Sequence, residues 1–270
     1  MQRKYALAHL TALACPPPEL IYYAGQAGYD YVGLRPILMH VAGEANHDFA
    51  HNKSLLRATK KALSDTGIRL NDIEVVRVYD GVNVREEYEA AMEAGAELGA
   101  KYAITSVWSA DHTYYTEKFA EICELAAQYH LTVNLEFVTW SNIENLQKAV
   151  ALLQKVHCEN TAILVDTLHF YRSKDTLDEI KALPPHYFPY FHFCDAPKEI
   201  PDTQAALIQT GRGERLYVGE GAIDIKAIAD CVPEAYIALE IPNIERIKAL
   251  GAPAYIKQCL LRCKQYMGDL

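Results

Sequence analysis

Four apolar residues, Ala162 to Val165, run without a break into Asp166, and His169 follows three positions later. Such a run reads as a strand buried on both faces, as in a parallel sheet covered by helices. Its last residue is the constraint. A carboxylate buried without a partner is costly, so this strand must end at a helix N-terminus or a functional site. Two readings stay open on this stretch alone. Asp166 caps the following helix, with His169 a loop residue. Or Asp166 stands at the carboxyl edge of a sheet, where strands hand over to the loops that carry chemistry.

The same ending recurs. Val133-Asn-Leu135 leads to Glu136, Tyr190-Phe191 to His192, and Ile237-Ala-Leu239 to Glu240. Strands are expected at 4–13, 29–35, 69–79, 101–108, 131–137, 162–166, 187–194 and 235–241. Helices are expected at 16–28, 54–66, 85–98, 113–129, 174–183 and 253–266. A further helix should open on the capping box Ser141-Asn-Ile-Glu144, and a short one near Ile223. Eight strands alternate with eight helical segments over 270 residues, with no linker or shift in composition. That pattern fits an α/β fold with one domain over 1–270, a single (β/α)8 TIM barrel. The rival is an open doubly wound sheet, but no G-x-G-x-x-G or P-loop follows an early strand.

Composition narrows the partners. Lys and Arg number 26 against 35 Asp and Glu, a formal charge of −9, which argues against nucleic acid as the main partner. The seven cysteines are odd in number, scattered and free of C-x-x-C pairs, which suits buried thiols in a reducing, cytoplasmic compartment. Residues 2–15 imitate a short lipoprotein leader. His9, Thr11 and the Pro16-Pro17-Pro18 run favour a first barrel strand instead. No apolar run is long enough to span a bilayer, so no membrane partner is expected.

In a barrel, the carboxyl ends of all strands meet around one mouth. Glu136, Asp166, His192 and Glu240 would be four costly burials if separate. Together they make an oxygen-rich site with one imidazole, suited to one divalent ion. Manganese is the leading expectation, with Mg²⁺, Co²⁺ or Zn²⁺ as the others. Carboxylates crowded at one mouth also need a cation to coexist.

These residues carry a resemblance. The chain resembles the xylose-isomerase-like barrels: sugar epimerases and isomerases, inosose isomerases and dehydratases, and endonuclease IV. The similarity runs through Ala24-Gly-Gln-Ala-Gly-Tyr-Asp-Tyr-Val-Gly-Leu34, Leu135-Glu-Phe137, Asp166-Thr-Leu-His169, His192-Phe-Cys-Asp-Ala196, Arg215-Leu-Tyr-Val-Gly-Glu-Gly221 and Leu239-Glu240. The resemblance implies that Glu136, Asp166, His192 and Glu240 bind one divalent metal, and that His169 and Arg215 contact substrate. Val218 departs from the pattern, standing where a proline is usual. After Gly221 there is no histidine, whereas endonuclease IV needs late histidines for its three zincs. A DNA repair role is therefore not expected.

The expectation is an enzyme that isomerises or epimerises a small polyhydroxy ketone or aldehyde. A metal would act as Lewis acid, and Glu136 and Glu240 would move a proton through an enediolate. A dehydratase of the inosose or 3-dehydroshikimate type shares that first step. A non-catalytic barrel that senses a sugar or metal is the non-enzymatic alternative. Homodimers or homotetramers fit either enzyme. His9 and Trp108 are expected to touch substrate, and Arg35, His40 and Arg77 to shape the pocket. His40, His47 and His51 read as a solvated lid loop rather than a second metal site. Asp195 is expected to cap its loop, and Glu220 to shape the Gly219–Gly221 turn.

Overall fold

The structure is a computed structural model that describes residues 3–39 and 44–270. Eight strands form it: β1 (Tyr5–Leu7), β2 (Tyr31–Leu34), β3 (Arg69–Val78), β4 (Tyr102–Val107), β5 (Thr132–Glu136), β6 (Thr161–Asp166), β7 (Tyr190–Phe193) and β8 (Tyr236–Leu239). Each pairs in parallel with the next, and β8 pairs back onto β1, closing the barrel. Around them lie α1 (Pro17–Ala27), α2 (Lys53–Thr66), α3 (Val84–Glu97), α4 (His112–Gln128), α5 (Leu146–Val156), α6 (Thr167–Ser173), α7 (Leu177–Lys181), α8 (Gln204–Gly213), α9 (Ile225–Ala229), α10 (Ile244–Leu250) and α11 (Ala252–Met267). The (β/α)8 barrel expected from the pattern is the fold. No helix among the described residues is long and apolar enough to cross a membrane.

The helices start where side chains satisfy their orphan N–H groups. Asn52, Asn83, Asn145 and Asn243 each accept one such N–H, and Asp111 accepts two. Asn145 corrects the reading of Ser141-Asn-Ile-Glu144 as a capping box. Ser141 Oγ bonds the backbone of Ile143 instead, and α5, whose N-cap is Asn145, begins four residues later than that motif implied. The first strand is also shorter than expected. After Leu7 the chain turns into a 3₁₀ helix, His9–Ala12, and Thr11 Oγ donates to Leu239 O at 2.8 Å. The connection after β7 was expected to carry no helix, yet it holds α8, and α10 follows β8.

Two cores result. One fills the space between the sheet and the helices. The other plugs the barrel itself, where Ala6, Ile104, Leu164, Tyr190 and Ala238 pack with Tyr31, Tyr102 and Tyr236. Tyr190 and Tyr236 stack at 5.0 Å. Burying a side chain such as Leu164 contributes about 1.5–3 kcal/mol. All seven cysteines are free thiols.

Register sets the site. Asp166 lies level with His192, and His192 level with Ala238, so Glu240 stands two residues higher on the same inward face. Glu136 lies level with Leu164, two below Asp166. This stagger is the shear of a closed barrel, and the two-residue side-chain period turns all four groups inward.

Candidate metal centre and cavity

One ligand atom from each of Glu136, Asp166, His192 and Glu240 lies within 4.8 Å of the others. Asp166, His192 and Glu240 are buried, while Glu136 keeps some exposure toward a cavity. His192 decides what such a cluster can do. Neither of its ring nitrogens has a hydrogen-bond partner among the described residues. Nδ1 comes within 3.5 Å of Glu240 Oε1, without hydrogen-bond geometry. A buried imidazole with both nitrogens idle, ringed by three carboxylates, fits a divalent ion.

Electrostatics point the same way. Burial and the Glu240 charge push Glu136 up to about 8. Burial also raises Asp166 against the pull of Arg215. For His192, burial would lower the pKa, but Glu240, Glu136 and Asp166 outweigh it and raise it to about 10. Burial would raise Glu240, but Arg215 and His192 hold it well below the usual range. Without an ion, protons must relieve the crowding of like charges.

Arg215 is the fixed cation of this site. Nη1 donates to Asp166 Oδ2 at 2.6 Å, Nη2 meets Glu240 Oε2 at 3.0 Å, and Nε donates to Gly211 O at 2.7 Å. Asp166 serves both readings proposed for it. Oδ2 takes Arg215, while Oδ1 accepts Leu168 N–H at 2.7 Å and starts α6. The helix was invisible in the sequence because seven residues are too few to show a period.

The cavity above the cluster holds about 160 Å³, well under the ~300–1,000 Å³ of drug-sized pockets. Arg35, Trp108, Glu136, Trp140, His169, Arg212, Arg215 and Glu240 are among its lining residues. His169 Nδ1 accepts the Thr139 N–H at 3.4 Å, and burial holds the ring well below its usual pKa. The neutral ring therefore carries its proton on Nε2, a donor for a ligand oxygen. Trp140 packs edge-on against His169 at 4.8 Å. It needs Gly211 beneath it, where a Cβ would fall 2.5 Å from Trp140 Cη2. Trp108 forms a wall, with Nε1 donating to Ser106 Oγ at 2.9 Å.

His9 departs from its expected role. It is fully buried and absent from the cavity lining. Nδ1 accepts the Arg35 N–H at 2.9 Å, so Nε2 carries the proton and donates to Cys15 O at 2.9 Å. With both nitrogens spent on backbone, His9 braces the barrel and turns neither toward the cavity. His40 lies outside the described residues. His47 bonds Leu13 O and stacks on His9, and exposed His51 bonds Asp48, so these two gather no second metal. Arg77 donates to Met39 O at 3.2 Å and lines a neighbouring cleft.

Asp195 accepts N–H groups from Ala196, Gly219, Gly221 and Ile223, tying β7 to the following turn. Glu220 instead pairs with Arg246 at 2.6 Å on the surface.

The sequence reading overlooked two acids on β3. Glu74 Oε2 pairs with Arg35 at 2.7 Å, and Oε1 accepts the His9 N–H at 3.2 Å. Asp72 accepts from Tyr190 Oη at 3.0 Å, and burial pushes it up to about 7. Gly33 makes room for it, since a Cβ there would fall 2.4 Å from Asp72 Oδ1. The alternation Asp72, Glu74 was the available signal.

Residues 21–258 match the family described as xylose isomerase-like TIM barrel. The chain belongs to that family. An inosose isomerase of Bacillus licheniformis is 24% identical over 219 residues, covering 76% of this chain and 75% of that protein. Among solved structures, the IolI protein with a bound zinc atom superposes with a TM-score of 0.80 at 16% identity, over 98% of both chains. The probable 3-DHS dehydratase AsbF of Bacillus anthracis gives 0.74 at 16%, over 97% of this chain and 98% of that one. At these identities the xylose isomerase-like structures share the fold with this chain.

Proposed function

We propose that this chain is a divalent-metal-dependent isomerase or epimerase of a small sugar, keto-sugar or inosose, using manganese before magnesium, cobalt or zinc. The observation that carries the reading is the quartet Glu136, Asp166, His192 and Glu240 with His192 unpartnered, set under a small cavity that both glutamates face. The similarity to an inosose isomerase supports the same chemistry.

A bound divalent ion would supply Lewis-acid polarisation of a substrate carbonyl. Glu136 and Glu240 would share its ligation with Asp166 and His192. Glu136 has a second oxygen for the substrate, and Glu240 shares its Oε2 with Arg215. One glutamate removes the proton beside the carbonyl, and the other returns it to the neighbouring carbon or the opposite face. His169 donates Nε2–H to a substrate oxygen as charge develops there. Arg215 holds Asp166 and Glu240 in place. Trp108 and Trp140 shield the reacting carbon from water.

Proton removal is testable without knowing the product. Candidate keto-sugars and inososes incubated with enzyme and Mn²⁺ in D₂O should gain deuterium beside the carbonyl in one case. Glu136→Gln and Glu240→Gln should each slow that exchange by about 10²-fold or more, and His169→Gln by less. Turnover without exchange would replace proton transfer with a hydride shift.

A further inference from the structure

We propose that the substrate of this cavity carries a carboxylate, held by Arg35 and Arg212. The inference rests on the metal-site reading above and names the substrate class for it. Arg35 is 7% exposed and lines the cavity. Its Nη2 is taken by Glu74 at 2.7 Å, and among the described residues its Nη1 meets the Met39 thioether at 3.6 Å, a weak acceptor. Its Nε has no partner among the described residues. A buried guanidinium N–H left idle is costly, and Arg35 is one of the residues around a cavity sized for a small molecule.

Arg212 stands exposed at the rim of the same cavity. Partial burial and the charges of Arg35 and Arg77 lower its pKa. Net charge separates an acid from a neutral polyol. Of the ionisable side chains that line the cavity, three are arginines, Arg35, Arg212 and Arg215, and two are glutamates, Glu136 and Glu240, which leaves one positive charge. A neutral inosose would not offset it, whereas a monocarboxylate would. Planar guanidinium groups also suit carboxylate oxygens better than isolated hydroxyls.

Shikimate and its methyl ester differ by one charge and lack a hydroxyl beside the carboxylate that could help it chelate. Calorimetry on the Mn²⁺-loaded protein should show shikimate binding about tenfold or more tighter than the ester. Arg212→Met should close that gap. Arg35→Lys keeps a cation for Glu74 but removes Nε–H, and should narrow it; melting curves check that both variants fold. Equal Mn²⁺-dependent binding of acid and ester would overturn the carboxylate inference and leave the metal reading standing. An acid preference that survives both substitutions would also overturn it, since the carboxylate would then sit on the ion. If Mn²⁺ promotes binding of neither compound, the metal reading fails and this inference with it.

Discussion

His9 and His192 are buried histidines at the upper ends of β1 and β7, yet they meet opposite environments. His9 spends both nitrogens on backbone groups and is driven to about 3 by burial. His192 spends neither and is raised to about 10 by the carboxylates around it. The contrast extends to their halves of the barrel. Around β1 to β3, Arg35, Glu74 and His9 close a network that leaves Arg35 Nε idle. Around β5 to β8, three acids crowd an idle imidazole with Arg215 as their fixed cation. A site that folding leaves unsettled is one that a ligand can settle.

The largest expected difference is in metal response. Excess Mn²⁺ should raise the melting temperature of the native protein by mass action. Glu240→Ala should remove most of that rise, with metal affinity falling about 10²-fold or more. His9→Ala should leave metal affinity of the folded protein intact. An unchanged response in Glu240→Ala would detach Glu240 from the site and dissolve the contrast.

Next comes stability. His9→Ala strands two backbone partners and should cost about 2–4 kcal/mol in denaturant unfolding. Glu136→Gln should raise metal-free stability at pH 7 by roughly 3 kcal/mol, because the folded Glu136 holds a proton there while the unfolded carboxylate is ionised, a cost that Gln removes. A fully tolerated His9→Ala would mean that the brace carries no load.

The two regions also give metal-free stability opposite pH slopes. His9 has a folded pKa near 3 against 6.5 unfolded, so the unfolded chain binds more protons between them. Stability there falls as pH drops from about 6.5 toward 3. Glu136 has a folded pKa near 8 against 4.5, so the folded chain binds more protons, and stability falls as pH rises from about 4.5 to 8. Urea midpoints across pH should trace both limbs. Glu136→Gln should flatten the alkaline limb, and Mn²⁺ should lift it.

The smallest effect is expected at the rim. Glu220→Gln breaks an exposed pair with Arg246 and should cost under about 1 kcal/mol. Asp195→Ala strands four N–H groups and should cost several times more. Equal costs would return the shaping of the turn to Glu220.

The barrel was legible because parallel strands write long apolar runs, and the quartet because each run stops at an ionisable group. Asp72 and Glu74 were not. On β3, polar residues alternate with apolar ones, which reads as a wet face until closure turns that face inward. The helices α6, α8 and α10 span 7 to 10 residues, too short to show a 3.6-residue period. The setting of His9 was not legible because position at a strand end does not reveal what its nitrogens meet. That depends on Cys15 and Arg35 arriving from other turns of the chain. Arg212 lies in α8, a segment read as plain connection, so nothing placed it at the rim.

A crystal grown with Mn²⁺ and measured at its absorption edge tests the central claim most directly. The account predicts one anomalous peak with Glu136, Asp166, His192 and Glu240 converging on it at roughly 2.0–2.4 Å, and His9 still bound to Cys15 and Arg35. A peak elsewhere, or four side chains pointing into separate environments around an empty mouth, would contradict it.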